Sequence, residues 1–269
     1  MTVCLYNGSI QKMEENLQFS DRGFLLGDGF FTTIQWNTQK ICFWDHHWKR
    51  IQKSSAILGI PFMNDSSDLL KDIHQLIEFS PPNVPLAIRL TMTRGNQPTR
   101  GLLPPQDLTP NILITASLYK PSSDPVTVGV SRWERWCQSP LSEIKLLNYS
   151  SNILAKQEGV NLAKQEMILL NEKGHVSCTT IGNIFLYHSK DGWITPPLKD
   201  GCVDGITRHH LIPLLGATER SIIPSEFKMI REGFHCNSLQ GVIPFLSLND
   251  QKLAQDLTNQ VQKKWKEFN

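Results

Sequence analysis

No stretch of this sequence restricts its folding more than Lys120-Pro121-Ser122-Ser123-Asp124-Pro125. Two prolines in six residues exclude a helix interior and a central strand alike, so the segment reads as a linker. Strand-like and helix-like stretches alternate on both sides of it. The chain therefore reads as α+β and two-lobed, with a smaller N-terminal α/β domain over 1–119, the linker over 120–125 and a larger C-terminal domain over 126–269. Its 269 residues agree with that division, at about 150 residues per domain.

Val3–Tyr6 reads as a strand, turned at Asn7-Gly8 into a second short strand. Phe30-Phe31-Thr32-Thr33-Ile34-Gln35-Trp36 is aromatic and β-branched, and so strand-like. Asp45 is placed to cap a helix from about His46 to Leu58, closed by Gly59 and Pro61. Leu69, Ile73, Leu76 and Ile77 fall at helical spacing in a second helix over Ser67–Phe79. Leu86, Ile88, Leu90 and Met92 alternate along a strand ending at Thr93, and a further strand covers Asn111–Tyr119. The long loop between these two strands is of a length that often carries function. Beyond the linker, Val126–Trp133, Met167–Leu170, Val176–Thr179 and Ile184–Tyr187 read as strands. Helices are expected over Asn148–Lys164, from Thr207, and at the C-terminus, where Leu253, Leu257, Val261, Trp265 and Phe268 recur every three or four residues.

Lys and Arg total 27 against 25 Asp and Glu, a net charge of +2 that argues against a nucleic-acid binder. No run of apolar residues approaches membrane-span length, so no membrane partner is expected. The N-terminus has no basic region followed by an apolar run, unlike a signal peptide. The six cysteines form no C-x-x-C or Cys/His ligand pattern, so no metal site is expected. These features lead to the expectation of a soluble, cytoplasmic protein with reduced thiols.

Singly, the candidate residues say little. His46 and His47 are adjacent and cannot share a helix face, as an i, i+4 pair would; a lone histidine of this kind is usually structural. There is no G-x-S-x-G, P-loop or G-x-G-x-x-G. Five segments in order say more: Asp21-Arg22-Gly23 with Gly27-Asp28-Gly29-Phe30-Phe31-Thr32-Thr33; His47-Trp48-Lys49-Arg50-Ile51; Lys145-Leu146-Leu147-Asn148-Tyr149; Asn183-Ile184-Phe185; and Gly205-Ile206-Thr207-Arg208. Together they resemble the fold-type IV pyridoxal-phosphate enzymes, which include branched-chain and D-amino-acid aminotransferases and 4-amino-4-deoxychorismate lyases. The resemblance runs over about residues 1–245.

The resemblance implies a D-amino-acid-aminotransferase-like fold, with a cofactor cleft between its lobes, and a homodimer. It implies pyridoxal 5'-phosphate as cofactor, with Lys145 as Schiff-base lysine and general base; the alternative is an ordinary solvated lysine. Arg50 matches the phosphate-binding arginine, the alternative being a helix-surface arginine. Ile206 and Thr207 match the turn whose backbone amides bind phosphate, a role suited to a helix start. Ser238 sits where relatives place a hydroxyl on the phosphate, and Tyr149 matches a tyrosine near the ring hydroxyl in the aminotransferases, a position that holds arginine in some lyases.

One departure stands out. The family normally places a glutamate five residues before the asparagine of N-[LI]-F, against the pyridine nitrogen; counting back from Asn183 reaches Cys178. A neutral thiol gives no Coulomb support to a pyridinium, so the ring becomes a weaker electron sink. That is compatible with an impaired paralogue, or with a reaction driven by its product. Aminodeoxychorismate lyase is of the second kind, because loss of pyruvate creates an aromatic ring. Phe31-Thr32-Thr33 looks like the lyase version of its segment, and Arg94-Gly95 with Arg100-Gly101 resembles the R-G…R-G loop of the lyases and of D-amino-acid enzymes. Thr32, Arg94 and Arg100 are thus expected at the substrate, unless the arginines only pin the loop. The resulting expectation is a lyase forming 4-aminobenzoate, with a D-amino-acid or branched-chain aminotransferase as the alternative.

Overall fold

A computed structural model describes residues 3–12, 18–62, 64–137 and 140–268. Its contacts cluster in two units: the chain up to Lys120 together with Ile144–Asn148, and Pro121–Glu143 together with the chain from Tyr149.

In the first unit, β1 (Val3–Tyr6) and β2 (Ser9–Lys12) form a hairpin. Asn7 (φ 48°) and Gly8 (φ 79°) both adopt the left-handed backbone that an Asn-Gly turn supplies. There follow α1 (Arg22–Leu26), β3 (Gly29–Trp36), α2 (Trp44–Leu58), α3 (Ser66–Glu78), β4 (Leu86–Thr93) and β5 (Asn111–Leu118). The strands pair antiparallel in the order β2-β1-β5-β4-β3. Period-two alternation buries Leu86, Ile88, Leu90 and Met92 of β4 with Phe30 and Ile34 of β3. Ile51 of α2 and Leu69, Ile73 and Leu76 of α3 close the same core.

Arg22–Leu26 is a short helix, because the Asp21 side chain accepts the Phe24 N–H and caps it. One local expectation changes. Asp45 is not the cap of α2. That helix starts at Trp44 behind Phe43 (φ 54°), leaving Asp45 in the first turn, where a carboxylate suits the helix dipole.

β3 lies at the end of its sheet, and its outer side is covered by a distant piece of chain. The Phe31 N–H donates to the Lys145 carbonyl at 2.9 Å, the Leu147 N–H donates to the Gly29 carbonyl at 3.1 Å, and Phe30 pairs with Leu146. These backbone bonds tie Ile144–Asn148 to the first unit, although this stretch follows the linker in sequence.

The second unit contains β6 (Val126–Val130), α4 (Ser150–Asn161), β7 (Glu166–Leu170), β8 (Val176–Thr179), β9 (Asn183–His188), β10 (Gly192–Thr195), α5 (Ile206–Leu215) and β11 (Thr218–Glu219). It continues through β12 (Ile230–Asn237), β13 (Gly241–Leu248), β14 (Gln251–Lys252) and α6 (Asp256–Phe268). Strand order is β11-β10-β9-β12-β13-β6-β7-β8, with β14 on β13. Val128, Ile168, Ile184, Leu186 and Phe245 form its main core, while Ala155 of α4 packs with Met167, Leu169, Cys178 and Cys202 in a second cluster. α4 starts at Ser150 rather than Asn148 because the preceding residues are held extended along β3. α6 starts at Asp256, so Leu253 precedes it, buried in the core. Among the described residues no helix is long and apolar enough to cross a membrane.

Candidate active site

The pairing that fixes the backbone of Lys145 also decides which way its side chain goes. Lys145 lies opposite Phe31, and the Lys145 Nζ is 4.7 Å from the centre of the Phe31 ring. Strand register puts Thr91 opposite Phe31 and Arg89 opposite Thr33, so these four side chains share one face of the sheet. The Arg89 guanidinium lies 3.6 Å from the same ring centre, and its Nε donates to Thr91 Oγ1 at 3.2 Å. Arg89 is absent from the sequence-based candidates, although the inward alternation of Leu86, Ile88, Leu90 and Met92 already turned it outward.

Thr32 points the other way. It is fully buried, with its Oγ1 2.7 Å from Nδ1 of His47, which is fully buried on α2. This corrects the expectation that Thr32 meets a substrate: alternation sends Thr32 towards the helices and leaves Thr33 on the Lys145 face. Burial, and then the charges of Arg50, His46 and Lys145, hold His47 well below the ordinary histidine range. Half-buried Arg50 follows His47 by one helical turn, so Arg50 and Lys145 are both near enough for His47 to feel their charges.

The two loop arginines separate. Arg94 is spent inside the fold: its Nε and Nη2 grip both oxygens of Asp28 at 2.7 and 3.1 Å, and its guanidinium also donates to the Leu58 and Gly59 carbonyls at 2.7 and 2.9 Å. That is the loop-pinning alternative, and it corrects the expectation of Arg94 at a substrate carboxylate. Arg22 adds to it, donating to Asp28, Gln97 and the Gly101 and Leu102 carbonyls. Arg100 is exposed, beside a cavity of about 650 Å³ lined also by Phe19, Leu25, Leu26, Gln97 and Leu102.

In the second unit the candidates gather at one end of the sheet. Cys178 is the penultimate residue of β8, and the turn after Thr179 leads into Asn183, which starts β9 opposite Cys236 of β12. Ser238 lies in the turn just beyond β12, and Tyr149 is the residue preceding α4. The Asn183 side chain donates to the Val203 carbonyl at 2.8 Å, and a Cβ on Gly205 would strike its Oδ1. Gly205 is the N-cap of α5, with no side chain capping the helix, and no acid lies in the first turn.

The Thr207 hydroxyl in that first turn is 1% exposed and has no hydrogen-bond partner among the described residues. An uncapped terminus with a buried orphan hydroxyl suits a phosphate, so Ile206 and Thr207 fit the phosphate end of pyridoxal phosphate. The other end differs. Cys178 is buried among Ala155, Met167, Leu169 and Cys202, a thiol where the resemblance puts a carboxylate. Burial pushes the neighbouring Cys202 thiol up to about 12, and Cys202 feels the charges of Arg208, Arg135 and Asp200. Sequence reasoning missed Asn183 as more than a motif letter; its spacing to Gly205 carries no signal readable without the fold. No group of three or more His, Cys, Asp or Glu among the described residues could hold a metal.

Residues 29–248 match the family model of amino-transferase class IV. The D-alanine aminotransferase of Bacillus licheniformis is 26% identical, over 93% of this chain and 89% of that protein. Among solved structures, a putative 4-amino-4-deoxychorismate lyase from Legionella pneumophila superposes with a TM-score of 0.85 at 27% identity, covering 96% of this chain and 97% of that one. The branched-chain aminotransferase of Thermoproteus uzoniensis superposes at 0.89 with 22% identity, covering 99% and 94%, and shares the fold.

Proposed function

The chain belongs to the class IV aminotransferases, of fold type IV, a family that uses pyridoxal phosphate, and from that premise we propose that it is a lyase converting 4-amino-4-deoxychorismate to 4-aminobenzoate and pyruvate. The observation that carries this reading is Cys178, a thiol buried beside Ala155, Met167 and Leu169 where the resemblance calls for a carboxylate. Without that charge, a reaction needs its driving force elsewhere, and formation of an aromatic ring supplies it. The likeness to the Legionella lyase supports the same reading.

When bound, pyridoxal phosphate supplies an aldehyde that captures amines and a ring that draws electrons from the carbon beside the captured nitrogen. Lys145 would hold it and, as a free amine, would serve as the base. Arg50 and the Ile206 and Thr207 amides would bind its phosphate, with the Ser238 hydroxyl as a further donor. Tyr149 would serve its ring hydroxyl, and Cys178 would take the place of the pyridine-binding carboxylate. Of the two loop arginines, Arg100 is the one proposed for a substrate carboxylate. We further propose a homodimer, supported by the exposed apolar side chains of Phe19 (80%), Leu102 (82%) and Leu103 (86%), and a cytoplasmic location, consistent with six free thiols.

A second reading, D-amino-acid transamination, is favoured by the Bacillus licheniformis relative. One assay separates the two. The full chain, loaded with pyridoxal phosphate, is given 4-amino-4-deoxychorismate in one arm and D-alanine with 2-oxoglutarate in the other. Release of 4-aminobenzoate, lost in Lys145→Ala, is the expected result. Pyruvate from the D-alanine arm alone overturns the lyase in favour of the transaminase, and turnover in neither arm marks an impaired paralogue.

A further inference from the structure

We propose that Asn183 is a positioning residue for an anion at the start of α5, and that position 205 is glycine to let Asn183 in. This rests on the cofactor assignment, which places a phosphate at Ile206 and Thr207.

The argument starts from Gly205. Its backbone (φ −80°, ψ 134°) is one that any residue adopts, so conformational freedom does not explain the glycine. Space does: a Cβ there would collide with Asn183 Oδ1. Asn183 is 6% exposed and engaged at both ends of its amide, with Nδ2 donating to Val203 at 2.8 Å and Oδ1 against Gly205. It therefore grips both sides of the residue that precedes the helix cap.

Asn183 is itself held fast. It pairs with Cys236, and its neighbour Gly182 lies so close to β12 that a Cβ there would sit 2.8 Å from the Cys236 carbonyl oxygen. Sheet position thus passes through one side chain to the first amides of α5.

Those amides have the marks of a site awaiting an anion. No side chain caps the ten-residue helix, and the Thr207 hydroxyl is buried without a partner. The first turn also carries Arg208, buried and paired with Glu219 at 2.5 Å, so that cation is already met and what stays open is the uncapped amides and the Thr207 hydroxyl. An anion at the terminus offsets the helix dipole. Asn183 is engaged elsewhere, so its contribution is to aim the amides and not to touch the ligand.

The test compares pyridoxal phosphate with pyridoxal, which lacks the phosphate, as ligands of the full chain in wild type, Asn183→Ala, Gly205→Ala and the double variant. Each affinity is read by calorimetry and each melting temperature by scanning. In wild type the phosphate gives a binding advantage. Asn183→Ala should shrink that advantage about tenfold, roughly the worth of one well-aimed hydrogen bond, while pyridoxal binds as before. Gly205→Ala should lower both the melting temperature and the advantage. In the double variant the new methyl occupies the space Asn183 leaves, so the melting temperature recovers while the advantage stays small.

An unchanged advantage in Asn183→Ala overturns the positioning role and leaves the cofactor assignment standing. A loss of pyridoxal binding in equal measure reduces Asn183 to a purely structural part and overturns the proposal. No advantage in wild type removes the phosphate from this terminus, and the cofactor assignment fails with it.

Discussion

The Thr32 hydroxyl lies 2.7 Å from Nδ1 of His47, both side chains fully buried between β3 and α2. The pair joins the strand that carries Lys145 on its edge to the helix that carries Arg50. Two cations stand near this histidine, and a third positive charge would be costly; burial and its neighbours keep the ring neutral.

That neutrality makes stability depend on pH. A histidine whose folded value is depressed stays unprotonated in the native state while the unfolded chain takes up a proton. Stability is then full above the unfolded value, near 6.5, and is lost as pH falls towards the folded one. His235 adds to this, because burial, opposed by Glu166 and aided by Lys156, brings it to about 4. Urea unfolding between pH 7 and 4 should show stability falling below about pH 6.5, by up to about 1.4 kcal/mol per pH unit for each histidine. His235→Gln, which keeps a polar group for Thr179, should flatten the slope; an unchanged slope contradicts the assignment.

A second prediction concerns the two loop arginines. Burial pushes the Asp28 carboxyl up, but hydrogen bonds and charge from Arg94 and Arg22 outweigh it and leave Asp28 below the ordinary carboxylate range. Arg94→Ala strips one cation from a largely buried acid and frees the last carbonyls of α2. It should cost about 2–3 kcal/mol, less than a fully orphaned buried charge because Arg22 remains. Arg100→Ala touches none of these contacts and should change stability by less than about 0.5 kcal/mol, while lowering kcat/KM for a carboxylate substrate. Equal destabilisation by the two variants contradicts this division.

Much of this arrangement could be read from the amino acids alone. Leu86, Ile88, Leu90 and Met92 announced β4 by alternation, and Asn7-Gly8 announced its hairpin by turn chemistry. Phe43 in a left-handed backbone could not be foreseen, since no local rule favours a phenylalanine there. β12 and β13 went unread, because Gly233 and Pro244 interrupt them and only pairing with each other and with β9 and β6 makes them strands. The motif residues were recognisable, but their directions were not. Whether Thr32 or Thr33 faces Lys145 depends on register, and whether Arg94 or Arg100 is engaged depends on Asp28 and on the end of α2.

A third prediction follows from the exposed apolar surface around α1 and the 97–103 loop. Leu102 and Leu103 project into solvent from a loop that Arg22 holds in place, so their exposure is not a matter of slack chain. A cluster of that size on a single chain is the mark of a covered surface. Sedimentation should give a dimer for wild type, and Leu102→Asp with Leu103→Asp should shift it towards monomer with the fold intact by circular dichroism. A wild-type monomer contradicts the homodimer.

The last prediction addresses Cys178, on which the choice of reaction turns. Cys178→Glu places a carboxylate in a pocket of Ala155, Met167, Leu169 and Cys202. Without cofactor the new acid gives up its hydration on burial, so the variant should melt lower than wild type. With pyridoxal phosphate bound, a protonated ring nitrogen becomes a partner for the new charge, and the loss should be recovered. Affinity for the cofactor should rise, and any weak transamination should rise with it, because the ring becomes a stronger electron sink. Release of 4-aminobenzoate should gain less, since its driving force lies in the aromatic product. If the cofactor recovers none of the lost melting temperature, Cys178 does not face the ring nitrogen, and the preference for a lyase over a transaminase falls with it.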